Sequence, residues 1–144
     1  MKLTIAILIT VLVTTCNPKN RDASASVQQF IYQATTRGSS YSCDLTENEM
    51  IITSEGRETF KKSVNVETYQ WQELISSIKD VSFQGISQLK VPSSDRHSDR
   101  ARIATLTIIT QKKTYRSTDF DEGNPPRDLV PLINRILALT QTVD

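Results

Sequence analysis

The spacing of the apolar residues changes along this chain, and that change restricts the folds that it can form. From residue 27 to residue 66 the apolar positions alternate with polar ones, as in half-buried β-strands. Residues 103–120 return to this alternation, and residues 129–140 carry a helical stripe. Another stripe, spaced i, i+3, i+4 and i+7 as on one face of an α-helix, consists of Trp71, Leu74, Ile75 and Ile78.

Short turns separate the predicted strands, which favours an antiparallel sheet. Turn residues occur at Arg37-Gly38, at Glu47-Asn48 and at Glu55-Gly56. We therefore predict an α+β domain, with an antiparallel sheet of about five strands and two amphipathic helices packed on one face, in the order β-β-β-α-β-β-α. The other face carries Lys, Arg, Gln and Thr and is expected to meet solvent. An all-β sandwich is the alternative, and the regular period of both helical stripes argues against it.

Local signals refine the boundaries of these elements. Thr68 is the predicted N-cap of the first helix and Asp128 that of the second. Residues 86–91 are expected to be a short extended piece, and residues 114–120 a single strand. Lys62 interrupts the apolar side of its strand, which indicates a position near an edge of the sheet.

An apolar run, residues 3–13, follows Lys2 and stops shortly before Cys16. A positive residue followed by about a dozen apolar residues is the arrangement of a secretory signal. The run is too short to cross a bilayer, which takes about 20 apolar residues. We therefore expect residues 1–15 to be a signal peptide that is removed.

The rest of the chain divides into a tether and a domain. Residues 16–26 are polar and small and are expected to be a flexible tether. Residues 27–144 are long enough for a single domain and too few for two ordinary ones. Ala23-Ser24-Ala25 offers an alternative cleavage site, of the kind used in ordinary secretion. A long charged spacer separates it from the apolar run, which argues against its use.

The charge of the chain excludes one class of partner. The formal net charge is +1, and loss of Lys2 with the signal peptide makes it zero. Proteins that bind nucleic acid need an excess of Lys and Arg to neutralise phosphates, so we expect no nucleic-acid partner. The same neutrality argues against an electrostatic membrane anchor.

The most polar stretch of the predicted domain, residues 93–102, gathers both charge signs around the single histidine of the chain. Its arginines suit a carboxylate or phosphate, and its imidazole beside an aspartate suits acid–base chemistry. One histidine and two aspartates are an incomplete zinc site. A solvated connection whose charges pair locally is the remaining interpretation. We take the stretch as the candidate binding loop, and its residues are Asp95, Arg96, His97, Asp99, Arg100 and Arg102.

A second charged cluster consists of Asp119, Asp121 and Glu122. These carboxylates are weak candidates for calcium, which takes oxygen ligands. Gly123 falls at the fifth position of the cluster, whereas an EF-hand loop needs glycine at the sixth. A turn leading into a helix whose N-terminus favours negative charge explains the same residues. The sequence therefore predicts no resident metal and no cofactor.

Cys43 shares one face of a predicted strand with Tyr41 and Leu45, which indicates a small core residue. A nucleophilic thiol is the alternative, and it would need His97, which nothing in the sequence brings near. The chain contains no nucleophile elbow, P-loop or dinucleotide fingerprint. These observations lean away from an enzyme.

Val13-Thr14-Thr15-Cys16 resembles the lipobox of bacterial lipoproteins, although Thr15 stands where Gly, Ala or Ser is usual. The chain as a whole resembles small Bacteroidota (flavobacterial-type) lipoproteins that carry a domain of unknown function. This resemblance also rests on residues 32–38, and on residues 115–121 with the following Pro125-Pro126. It implies lipidation of Cys16, with palmitate among the acyl groups, and location in the cell envelope. Asn17 after the cysteine implies the outer membrane by the proteobacterial sorting rule.

The sequence leads to three functional hypotheses. The first is a non-enzymatic module, held to the membrane by its N-terminal lipid, that binds a protein or another envelope component. The second is a secreted or periplasmic inhibitor or immunity-type protein that blocks one enzyme. The third is a small hydrolase that uses His97 with an aspartate.

Overall fold

The computed structural model describes residues 26–93 and 101–141. The predicted signal peptide, Cys16 and the tether before Ser26 lie outside the described residues. So do most residues of the candidate binding loop, namely Asp95, Arg96, His97, Asp99 and Arg100. Arg102 and the cluster of Asp119, Asp121 and Glu122 lie within them.

The described residues form seven strands, two α-helices and two 3₁₀ helices. The strands are β1 (Val27–Thr36), β2 (Ser39–Thr46), β3 (Glu49–Glu55), β4 (Phe60–Asn65), β5 (Ile103–Thr110), β6 (Thr114–Arg116) and β7 (Phe120–Asp121). The α-helices are α1 (Thr68–Ser77) and α2 (Val130–Gln141), and the 3₁₀ helices are Phe83–Gln88 and Arg127–Leu129. None of these described helices has the length and apolarity needed to span a bilayer.

All seven strands belong to one antiparallel sheet, so the predicted α+β class with an antiparallel sheet is confirmed. The spatial order is β4-β3-β2-β1-β5-β6, with β7 also paired to β5. The expectation of about five strands was too low. Four strands rather than three precede α1, and β7 has only two residues, too few to show an alternating pattern.

One face of the sheet, here called the inner face, is buried under both helices. Phe30 on β1 packs against Trp71 of α1, with ring centroids 5.4 Å apart. Tyr41 on β2 lies beside Thr140 of α2; burial raises the pKa of Tyr41, and the Thr140 side chain opposes this larger rise. The strand residues that are fully or almost fully buried on this face are Phe30, Tyr32, Ala34, Cys43, Leu45, Met50, Ile52, Ala104, Leu106 and Ile108.

The opposite face, here called the outer face, is less polar than predicted. Isoleucines stand on it at positions 31, 51, 103 and 109, among the expected Gln, Thr and Lys residues. Ile31 and Ile51 are half-buried, and Ile103 is 40% exposed. Adjacent apolar pairs such as Ile51-Ile52 place one residue on each face, because successive side chains of a strand point in opposite directions.

Two predictions about irregular segments were wrong. The extended piece predicted over residues 86–91 fails at residues 86–88, because these belong to the 3₁₀ helix Phe83–Gln88, which buries Phe83 and Ile86 in the core; Leu89 after it has an extended backbone. Residues 114–120 are two strands rather than one. The Ser117 hydroxyl accepts a hydrogen bond from the N–H of Leu106 at 3.0 Å, and this side-chain contact interrupts the regular backbone ladder between β6 and β7.

The helix starts also differ from the prediction, whereas the edge strand agrees with it. Glu67 is the N-cap of α1 in place of Thr68, and its N–H donates to Gln70 Oε1 at 2.9 Å. Asp128 caps no α-helix, because it lies inside the 3₁₀ helix that precedes α2. The strand that contains Lys62 is β4, at the edge of the sheet.

Candidate binding site

A polar cavity of about 400 Å³ opens at the end of the sheet where β2 and β5 begin. The turn between β1 and β2 supplies one wall, the turn between β3 and β4 supplies another, and the residue before β5 closes the third side. Its lining is Ser39, Ser54, Glu55, Arg57, Glu58 and Arg102. We call this the Arg102 cavity.

Glycine at position 56 lets the two turns that line the cavity approach each other. A Cβ atom there would lie 2.8 Å from the Ser39 Cβ and 2.9 Å from the Gly38 carbonyl oxygen. Gly56 also has a φ of 130°, which L side chains rarely adopt. The shape of the Arg102 cavity therefore depends on a residue without a side chain.

The cavity is lined by both positive and negative side chains, and some of these side chains have no ion-pair partner among the described residues. Arg102 contacts Glu122 through Nη1 and Oε1 at 3.5 Å, a long and partly exposed ion pair. Glu55 accepts a hydrogen bond from the Ser40 hydroxyl at 3.3 Å. Within residues 26–93 and 101–141, no ion pair involves the side chain of Arg57 or Glu58. A guanidinium and a carboxylate are thus available to a ligand.

The two charged stretches of the sequence meet through the residues that bracket the candidate binding loop. On one side, the Ser93 hydroxyl donates to the Asp121 carboxylate and accepts from Asn124 Nδ2 at 3.1 Å. On the other side, Arg102 accepts a backbone hydrogen bond from the N–H of Glu122 at 2.9 Å. Residues 93 and 102 are therefore held side by side against residues 121–124.

The three carboxylates of the second cluster point to different partners. Asp119 pairs with Arg116 at 3.0 Å, and Glu122 pairs with Arg102. Asp121 is 2% exposed and accepts the hydrogen bond from Ser93. Among the described residues, no three His, Cys, Asp or Glu side chains form a group suited to a metal ion.

A buried hydroxyl lies behind this end of the sheet. Tyr32 is 1% exposed, and its hydroxyl has no hydrogen-bond partner among the described residues. Burial raises the pKa of Tyr32, the negative charge of Glu122 raises it further, and Arg102 opposes the rise. The Arg102–Glu122 pair therefore acts electrostatically on the core as well as on the cavity.

Sequence reasoning found Arg102 and missed the other residues that line the cavity. The charged turn around Gly56 was visible as a turn, but nothing in its spacing placed it beside a residue 45 positions later. Chain reversals between neighbouring strands bring positions 39, 57 and 102 together.

A second groove, of about 230 Å³, lies between the helices. Tyr69 on α1 is 61% exposed beside it, and Glu73 of α1 pairs with Arg135 of α2 at 2.6 Å. This ion pair ties the two helices together across the groove. The charges of this groove therefore neutralise each other, whereas Arg57 and Glu58 of the Arg102 cavity form no ion pair with another described residue.

Cys43 is a core residue in the structure. It is fully buried, and burial raises the pKa of its thiol to about 12. At pH 8 only about one thiol in ten thousand is then ionised, and a thiol reagent attacks the thiolate.

We expect Cys43 to resist thiol reagents at pH 8 in the folded protein and to react quickly after unfolding in denaturant. Because the folded-state pKa is raised, native reactivity should rise as the pH approaches 12, provided that the protein stays folded. The chain should carry Cys16→Ser, so that absorbance from Ellman's reagent reports one thiol. Rapid reaction at pH 8 without unfolding would contradict the burial.

Neither a protein-family model nor a curated protein matches this sequence.

Proposed function

We propose that this chain is a lipid-anchored domain of the cell envelope, held at the outer membrane through Cys16, which binds a protein or another envelope component without catalysing a reaction. The Arg102 cavity is the observation that carries the binding role. Its lining includes Arg102, the one residue of the candidate binding loop within the described ranges, and Arg102 pairs with Glu122 of the second charged cluster.

The chemistry of the cavity supports binding rather than turnover. Its side chains are guanidinium groups, carboxylates and hydroxyls, which supply charge and hydrogen bonds. None of these groups is an activated nucleophile paired with a base. The thiol of Cys43 lies in the core, away from any incoming substrate.

Mixed charge in the cavity favours a partner that also carries both signs. Arg57 offers paired donors to a carboxylate or phosphate, and Glu58 offers acceptors to an ammonium or guanidinium group. Charge complementarity of this kind selects among partners more than it adds affinity.

The anchor can be tested by intact mass spectrometry of the membrane fraction, with Cys16→Ser as the comparison. We expect a mature chain that begins at Cys16, carries added acyl mass and loses that mass in the variant. An unmodified chain that begins near Ser26 would overturn the anchor. It would favour the secreted or periplasmic inhibitor or immunity-type protein instead.

Binding at the Arg102 cavity can be tested by photo-crosslinking in living cells, with the reactive amino acid placed at Ser39 on the cavity wall. We expect a discrete crosslinked product, and we expect the combined change Arg57→Ala and Arg102→Ala to reduce it about tenfold or more. Arg127→Ala is the matched control, because this exposed arginine lies outside the cavity lining. Equal crosslinking by all three proteins would remove the cavity from the proposal.

A further inference from the structure

A row of four side chains crosses the outer face of the sheet from β2 to β6. The strand pairing places Asp44 opposite Ile31, Ile31 opposite Thr107, and Thr107 opposite Arg116. All four therefore stand on adjacent strands at one level of the outer face. We call this the outer row.

The charges of the outer row are self-complementary. A carboxylate stands at one end and a guanidinium at the other, with an isoleucine and a threonine between them. Neighbouring strands are about 4.8 Å apart, so the two charges are separated by about 14 Å. A two-fold axis parallel to the strands and midway between β1 and β5 brings each charge opposite its counterpart on a second copy.

The same two-fold axis also pairs the two middle residues of the outer row. Ile31 of one copy faces Thr107 of the other, and the reverse contact forms at the same time, as an isologous interface requires. Ile109 lies close to this axis, on the strand that carries Thr107. Apolar contact is thus central, and charged contact lies at the two sides.

Both charged residues of the outer row, Asp44 and Arg116, can form an ion pair with a second copy. Asp44 is half-buried, and the isoleucines at positions 31 and 51 are its direct cross-strand neighbours. Burial raises its pKa, and Lys61 on β4 opposes the rise. An arriving cation would stabilise the ionised carboxylate further. Arg116 is 62% exposed, and its present ion pair with Asp119 is a surface pair of small net energy.

The size of the outer face fits a weak dimer. Four strand positions overlap under this axis, those of β2, β1, β5 and β6, which gives a width of about 19 Å, and the paired part of each strand is about 20 Å long. Each copy would then cover about 400 Å², half of the roughly 800 Å² of a standard specific interface, which is the size of a weak, reversible contact. Sheets that pack in this way lie about 10 Å apart.

We propose that a second copy of this chain packs on the outer face, in a two-fold dimer in which Asp44 of each copy pairs with Arg116 of the other. This interface is separate from the Arg102 cavity, so a partner can occupy the cavity in the dimer.

Analytical ultracentrifugation of the chain carrying Cys16→Ser tests this dimer without a lipid that would hold copies together. The wild-type outer row is compared with Asp44→Arg, with Arg116→Asp and with the combined exchange. We expect a reversible dimer for the wild-type row, a dissociation constant about tenfold or more higher for each single exchange, and recovery of the dimer in the combined exchange, which restores both pairs in reverse.

Matched controls are Asp80→Arg and Lys90→Asp, which make the same charge changes at exposed positions outside the strands. Both should leave the dissociation constant unchanged. Melting temperatures are recorded for every variant, and Asp44→Asn with Arg116→Gln replaces any exchange that unfolds the chain.

Three results would overturn the proposal. The first is a wild-type chain that remains monomeric up to about 1 mM, where even weak specific interfaces are populated. The second is a dimer that neither single exchange weakens, which would place the interface elsewhere. The third is a combined exchange that stays folded and monomeric, which would contradict the reciprocal pairing.

Discussion

Replacing Phe30 with alanine should lower the free energy of unfolding by about 3–5 kcal/mol, a loss that few domains of this size tolerate at 37 °C. Phe30 is fully buried at the centre of the inner face, and its ring packs on Trp71 of α1. The substitution removes that contact and leaves a cavity between the sheet and the helix, which the rigid surroundings fill only in part. Urea unfolding monitored by Trp71 fluorescence measures the effect.

Phe60→Ala is the matched control for this change. Phe60 lies on the edge strand β4, is 36% exposed and contacts the Lys62 ammonium 5.6 Å from its ring centroid. Its removal should cost about 1–2 kcal/mol, less than at Phe30, since a third of the side chain already meets water, the edge strand can relax around the gap and an exposed cation–π contact is weak. Equal losses from the two substitutions would show that the helices do not cover the inner face.

Replacing Gly56 with alanine should destabilise the chain by about 3 kcal/mol and open the Arg102 cavity. The new methyl group would lie within 3 Å of the Ser39 Cβ and of the Gly38 carbonyl oxygen, so one of the two turns must move. The positive φ of Gly56 adds about 1 kcal/mol of backbone strain. Thermal unfolding measures the stability, and the crosslinking yield from Ser39 reports on the cavity.

Gly38→Ala separates the two causes. Gly38 also has a positive φ, of 94°, but a Cβ atom there would meet nothing within 4 Å. The free energy of unfolding of this variant should fall only by the cost of backbone strain, about 1 kcal/mol. If Gly56→Ala lowers the free energy of unfolding no more than Gly38→Ala does, the two turns can move apart at little cost, and the cavity wall is not rigid.

The period of the apolar residues was enough to predict the class of fold and the two α-helices. Alternation at Phe30, Tyr32 and Ala34 predicts one buried face of a strand, and the stripe at Trp71 predicts a helix that covers it. Both features follow from local geometry, because side chains repeat every two residues in a strand and every 3.6 in a helix. The turns at Gly38 and around residues 47–48 were likewise predictable from residue type.

Elements that depend on distant partners were not predictable in this way. The 3₁₀ helix Phe83–Gln88 has an apolar spacing that also fits an extended segment, and only packing against Tyr115, at 5.4 Å between ring centroids, distinguishes the two. The break between β6 and β7 depends on the Ser117 hydroxyl meeting the N–H of Leu106. A serine in a strand carries no local sign that it will replace a backbone acceptor.

The sequence by itself determined the α+β class, the antiparallel sheet and the faces of the main helices, because short-range periodicity encodes them. It also marked Arg102 as a candidate, through the density of charge around it. Only the tertiary structure decided that Arg102 meets Arg57 and Glu58 in one cavity, and that Asp44 and Arg116 share one row. The physical reason is that strand order and register, which no local pattern specifies, determine which distant residues become neighbours.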